Sequence, residues 1–219
     1  MKQSIRSKEE KRSYRSPMRQ RQAEETRRRI LEAARDLLGR LGYAGTTVEA
    51  IAELAGVSPK TVSAVIGSKR ELLAEIVQPD AYEEPVQQLL TQLRTSEEPV
   101  RRVELVVTIS RHIYESLTLE FELLRTAGAV APELAELARH IETRRRERQS
   151  YLVTALHERD ALRRGLTPEE ALDTLWSLTS YDMYRLLVVE RGWSATRYES
   201  WLSALLIAEL LQPGINSHH

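Results

Sequence analysis

The chain has 219 residues, 42% hydrophobic and 29% charged, with a formal net charge of zero. That is ordinary globular composition, with enough length for one large or two modest cores. The absence of cysteine excludes disulfide frameworks and thiolate metal sites, and only 9 glycines and 8 prolines argue against a β-rich fold with frequent turns.

Charge is unevenly spread. Residues 1–79 hold 16 Lys/Arg against 10 Asp/Glu, whereas residues 80–219 hold 16 against 22. A basic N-terminal third on an acidic body directs any polyanion-binding surface towards the N-terminus. Residues 1–21 carry 8 Lys/Arg and almost no large apolar residues. This composition predicts a disordered basic arm, and it lacks the apolar segment of a secretory signal.

From Glu24 onward, Ile30, Ala33, Ala34, Leu37, Leu38 and Leu41 recur at helical spacing, and Gly42 predicts the end of that helix. "TTVEAIAELAG" predicts a short second helix, with Thr46 as N-cap and Glu49 completing a capping box. Gly56 closes it. "VSPK" then places Ser58 at an N-cap and Pro59 in the first turn, and Ser68 with Glu71 predicts a further capping box. Three starts so close together predict short helices crossing steeply.

Beyond Pro79, read as a break, the pattern predicts longer helices at about 82–95, 98–116, 118–129, 132–161, 168–190 and 196–211. The longest apolar run, "WLSALLIAELL", is short and contains Ser203 and Glu209, so no membrane span is expected and a cytoplasmic location is the default. The breadth of apolar residues on 196–211 predicts burial against a second subunit, making a homodimer with helix 168–190.

The spacing over residues 48–67 is that of a helix-turn-helix. Ile51 and Ala52 line the inner face of the first helix, Gly56 makes the turn, and Val57, Val62 and Val65 anchor the second helix. Ser58, Pro59, Lys60, Thr61, Ser63 and Ala64 are left at the N-terminus and outer face of a helix short enough for a major groove.

"TTVEAIAELAGVSPKTV" followed by "GSKRELL" resembles the N-terminal DNA-binding signature of the TetR family of bacterial transcriptional regulators, over about residues 24–77. The stretch from Leu166 to Leu202 is similar to a C-terminal domain of one branch. The resemblance implies a homodimer that binds a double-stranded, pseudo-palindromic operator and releases it when a small-molecule effector enters the C-terminal domain. It implies that Thr46 and Thr47 start the helix whose N-terminus meets phosphate. Lys60 and Thr61 would face base edges, and Lys69 would grip phosphate. The family commonly has Tyr at the position of Ser63 and Phe at that of Ile66; here Ser63 forgoes a long phosphate-reaching hydroxyl.

The expected fold is therefore all-α. After the arm at 1–21, a three-helix helix-turn-helix domain occupies 22–79, and a larger helical ligand-binding and dimerisation domain occupies 80–219. For the effector, Ser110 and Tyr114 lie on the inner stripe of helix 98–116 with His112 beside it, and Trp176, Thr179 and Met183 share a face of helix 168–190. A pocket between those helices is the expected site. His112, His140 and His157 have no partner at metal-ligand spacing, and no nucleophile elbow or phosphate loop appears, so neither metal, cofactor nor enzymatic activity is expected. Two alternatives are a helical small-molecule-binding protein whose DNA binding is weakened or lost, which Ser63 favours, and an interaction module using the basic arm on acidic partners.

Overall fold

The computed structural model describes residues 3–77, 84–127 and 131–214, with the side chains of residues 3–17 and of Ala127 outside that description. Among the described residues there are eleven α-helices and no strand, only an isolated antiparallel bridge between Leu162 and Leu211. Pro79, expected as a break, lies outside the described residues. Contacts divide the chain into two compact units, Met1–Ile76 and Val77–His219.

The first unit is built from α1 (Gln3–Gly45), α2 (Val48–Ala55), α3 (Pro59–Val65) and α4 (Lys69–Ile76). The α1 backbone is helical from Gln3, not from Glu24 as the apolar spacing predicts, and so includes most of the stretch expected as an unstructured arm. Arg, Lys, Gln and Glu are strong helix formers even where they bury nothing, which an argument from apolar periodicity overlooks. At the other end α1 kinks at Gly42, whose φ of 68° marks the expected break. The core of this unit is made by the expected stripes: Ile30, Ala34 and Leu38 of α1 meet Ile51 and Ala52 of α2, Val62 of α3, and Leu72, Leu73 and Ile76 of α4, all essentially inaccessible to water. Ala52 has no side chain beyond Cβ, and this lets the backbones of α2 and its neighbours come close.

The second unit contains α5 (Glu84–Thr95), α6 (Pro99–Ser116), α7 (Thr118–Ala127), α8 (Pro132–Glu158), α9 (Pro168–Leu178), α10 (Tyr181–Tyr184) and α11 (Ala195–Leu210). α6 packs between α5 and α11, and α8 lies against α7 and α9. The core runs from Val103 and Val107 through Leu156 and Leu175 to Leu202 and Leu206.

Two expectations change here. The helix expected at 168–190 is interrupted. α9 stops at Thr179, Ser180 leaves helical geometry and caps α10 by accepting from Met183 N at 3.3 Å, and Arg185–Glu190 continues as π-helix. The apolar period runs through this break undisturbed, but a Thr-Ser pair offers the backbone side-chain partners that compete with the helix ladder. On α11, Tyr198, Leu202, Leu206 and Leu210 are fully buried within their own unit, while Trp201, Leu205 and Ile207 are half-buried. Leu206, on the helix whose apolar breadth predicts a subunit interface, is therefore a core residue of its own unit. Among the described residues no helix is long and apolar enough to cross a membrane.

Candidate functional site

α2 and α3 form the turn that the sequence predicts, with one shift in its start. The N-cap of α2 is Thr47, whose hydroxyl accepts from Ala50 N at 3.1 Å, and not Thr46. Thr46 is buried and donates its hydroxyl to Gly42 O at 2.8 Å, closing the end of α1. Glu49 does not complete a capping box, because the third helical position is Ala50; it sits in the first turn, where a carboxylate favours the positive end of the helix dipole. Two neighbouring threonines are equivalent as a local signal, and tertiary burial selects between them.

Gly56 then takes a left-handed conformation, φ 64° and ψ 40°, with its N–H on Glu53 O and that of Val57 on Ala52 O. This pair of bonds is a Schellman closure, and it needs a residue that tolerates positive φ. Ser58 caps α3 by accepting from Thr61 N at 3.0 Å, and its hydroxyl also bonds that of Thr61 at 2.8 Å. Pro59 occupies the first turn. Val62 faces inward, and Val57, Val65 and Ile66 are half-buried. Pro59, Lys60, Ser63 and Ala64 form the exposed outer face, with Thr61 half-exposed beside them. The helix therefore presents one cation and several small side chains.

Two basic residues tie the elements of this unit together. Arg27 of α1 pairs through Nε and Nη2 with the Glu75 carboxylate of α4, and its Nη1 donates to Val65 O, the end of α3, at 3.0 Å. The sequence offered only one more arginine on a basic helix, so this brace was missed. Lys69, expected to face phosphate, reaches back instead: its Nζ donates to Tyr43 O at 2.6 Å and Thr46 O at 2.9 Å and lies 4.0 Å from the centre of the Tyr43 ring. It stabilises carbonyls freed by the end of α1. Ser68 and Glu71 exchange the two bonds of a capping box at the start of α4.

The second unit contains a cavity of about 510 Å³ between α5, α6 and α8, with Phe121 of α7 also on its wall. Of the six residues expected at an effector site, Ser110 and Tyr114 line it and the other four do not. His112 falls off the lining stripe of α6 and meets the Arg111 guanidinium at 2.8 Å. Met183 is half-buried against the core aromatics beyond the helix break.

Thr179 and Trp176 stand behind the cavity wall. The Thr179 hydroxyl donates to Leu175 O at 2.6 Å and accepts from Gln149 Nε2 at 2.8 Å and Arg145 Nη1 at 3.1 Å. Its carbonyl accepts from the Tyr114 hydroxyl at 2.9 Å, while Trp176 O accepts from Arg145 Nη1 at 2.9 Å. Three lining side chains are thus held by one fully buried threonine. Beside them, Tyr114, Phe121, Tyr181 and Tyr184 make mutual ring contacts. Burial, and then the Glu122 carboxylate, push the Tyr181 phenol well above its usual range; burial does the same for Tyr198. These phenols are neutral packing groups. Among the described residues, no three His, Cys, Asp or Glu side chains gather as a metal site would require.

A capped helix-turn-helix in a small helical unit, followed by a larger helical unit with its own cavity, is the architecture of helix-turn-helix transcription regulators. Residues 30–76 match the family model of the bacterial regulatory proteins, tetR family. The chain has the fold of the TetR-family regulators, and residues 30–76 are similar to that family's N-terminal domain.

Solved structures agree over nearly the full length. SmeT in complex with triclosan is 23% identical, with a TM-score of 0.70, over 87% of this chain and 94% of that one. NalD of Pseudomonas aeruginosa, the secondary repressor of the MexAB-OprM multidrug efflux pump, is 22% identical with a TM-score of 0.65, covering 86% and 98%. FadR of Bacillus subtilis in complex with stearoyl-CoA is 16% identical with a TM-score of 0.66, covering 82% and 97%. No curated protein matches the chain by sequence.

Proposed function

We propose that the protein is a ligand-responsive transcriptional repressor that binds a pseudo-palindromic operator as a homodimer and releases it when a small molecule occupies the cavity of the second unit. The observation that carries this reading is the outer face of α3: a helix braced by Arg27 and presenting Lys60, Ser63 and Ala64 to solvent with its capped N-terminus exposed. Lys60 and Thr61 read base edges, although Thr61 shares its hydroxyl with Ser58. Thr47 and Ser58 lie at helix N-termini suited to phosphate, and the small side chains of Ser63 and Ala64 allow close approach to the groove. The division of labour leaves the backbone to α1 and its basic N-terminal stretch.

Exposed Leu186 and Val189 on the π-helical segment, with Ala204 and Ala208 on the outer side of α11, support pairing through that face. NalD is a repressor and SmeT holds a small molecule, and the shared fold makes both properties reasonable here.

The test is binding of the full chain to its operator and to random duplex DNA across a salt series. Lys60→Ala should cost about 1–3 kcal/mol on the operator and much less on random DNA. Ser63→Tyr should tighten binding with no change in salt slope, because a neutral hydroxyl releases no counterion. Equal, weak binding to all DNA that ignores Lys60→Ala would favour the second reading, a small-molecule-binding protein whose DNA binding is lost; the single cation on the outer face of α3 is the observation behind it.

A further inference from the structure

The cavity wall carries a chemical bias. Four of its lining residues are arginines, Arg94, Arg102, Arg145 and Arg148, and none is acidic. Arg145 is already neutralised: Glu142 pairs with it at 2.6 Å, and Thr179 and Trp176 take its remaining arm. The other three have no carboxylate at ion-pair distance among the described residues. Arg148 and Arg94 are exposed at the rim beside Tyr151, whereas Arg102 is half-buried. Its Nε is buried with no hydrogen-bond partner. Burial, and then neighbouring Arg159, hold the Arg102 guanidinium below its usual range, with only Glu97 opposing. A cation so placed is incomplete until an anion meets it. The rest of the wall is hydrocarbon, notably Ile109, Ile113, Phe121 and Leu152.

Gln149 supplies a second, independent constraint. The side chain is buried, and its Nε2 donates to the Thr179 hydroxyl at 2.8 Å. The orientation is fixed, because that hydroxyl gives its own proton to Leu175 O and can only accept from Gln149. Gln149 Oε1 is therefore the end that the wall does not hold, and it is buried without a donor. An acceptor in that position calls for a hydroxyl or N–H on whatever fills the space.

We propose that the cavity binds an amphiphilic anion bearing a hydrogen-bond donor near its head: the anionic group meets Arg102, the donor meets Gln149 Oε1, and the hydrocarbon part lies on the apolar wall. This deepens, and rests on, the reading of the cavity as an effector site. A medium-length hydroxy acid has this chemistry and suits the volume.

The experiment is calorimetric titration of the full chain with four ten-carbon probes: 3-hydroxydecanoate, decanoate, decanol and decyltrimethylammonium. The expected order is 3-hydroxydecanoate tightest, decanoate next and decanol about tenfold or more weaker, since hydrogen bonds to a charged partner are the stronger kind. The ammonium should be excluded. Arg102→Gln should bring both anions to the level of decanol while leaving decanol unchanged, which also shows that the variant is folded. Gln149→Leu should erase the advantage of the hydroxyl alone.

Decanol or the ammonium binding as tightly as the anions would overturn the proposed ligand class and leave an effector cavity of another chemistry. An Arg102→Gln variant that keeps full affinity for decanoate would overturn it as well. No binding of any probe would overturn it and remove the support for an effector in this cavity. Operator binding without ligand is measured separately, so the DNA-binding reading stands or falls on its own.

Discussion

The hydrogen bonds that shape the turn between α2 and α3 are local, and those that shape the cavity are not. Thr47 to Ala50, Ser58 to Thr61 and Ser68 to Glu71 each span three residues. The cavity wall depends on Gln149 to Thr179 across 30 residues, Arg145 to Thr179 across 34 and Tyr114 to Thr179 across 65. At the edge of the same unit, Thr108 and Arg111 meet Glu199 across 91 and 88. The difference teaches that a helix-turn-helix turn can be specified by caps and one left-handed glycine, whereas a cavity is a by-product of how distant helices are tied. It also means that damage should spread differently in the two regions.

The largest effect should come from Thr179→Val. It keeps the shape of the side chain but removes the acceptor for buried Gln149 Nε2 and for one Arg145 contact, so unfolding by denaturant should show a loss of about 1–3 kcal/mol. It should also weaken binding of any cavity ligand, because two lining side chains, Gln149 and Arg145, lose their common partner. A variant with unchanged stability would show that the distant ties are not what holds this region.

Next is Lys69→Met, which keeps the stem of the side chain but removes its donors and its charge over Tyr43. Stability should fall by about 1–2 kcal/mol, from two charge-assisted bonds and a part-exposed cation–π contact. The salt dependence of DNA binding should stay as it was. A salt slope reduced by about one per subunit would restore Lys69 to the phosphate backbone.

A smaller loss separates the two threonines before α2. Thr47→Ala removes a cap and should cost about 1 kcal/mol in thermal unfolding. A larger loss from Thr46→Ser than from Thr47→Ala would mean that packing, not the local cap, governs the start of this helix. The smallest effect is Arg28→Ala: its exposed pairs with Glu25 and Glu32 should leave the melting temperature unchanged, as exposed ion pairs usually do.

Much of the first unit was legible in the sequence because its signals act over one helical turn. The Ser58-Pro59 start, the Gly56 closure and the Ser68-Glu71 box all stand where their spacing puts them. Where the structure departs from these expectations, the physical causes differ. Thr46 and Thr47 compete equally as caps until the core claims Thr46. Lys69 reads as a phosphate cation until the end of α1 brings free carbonyls beside it. Thr179 reads as one polar position on a long helix, because apolar periodicity is blind to a break that keeps its phase.

The sequence by itself determined the helical class, the order of nearly all the described helices, and the turn with its outward-facing Lys60 and Ser63. Composition, periodicity and caps are properties of neighbouring residues, and neighbours remain neighbours in any fold. Only the tertiary structure decided that Arg27 braces α3, that Leu206 belongs to a core, and that Thr179 stands behind a cavity wall holding Gln149 and Arg145. It also decided that Arg102 faces that space without a carboxylate. These depend on which distant side chains share a volume and on which buried polar atoms find partners there, and no spacing along the chain encodes that.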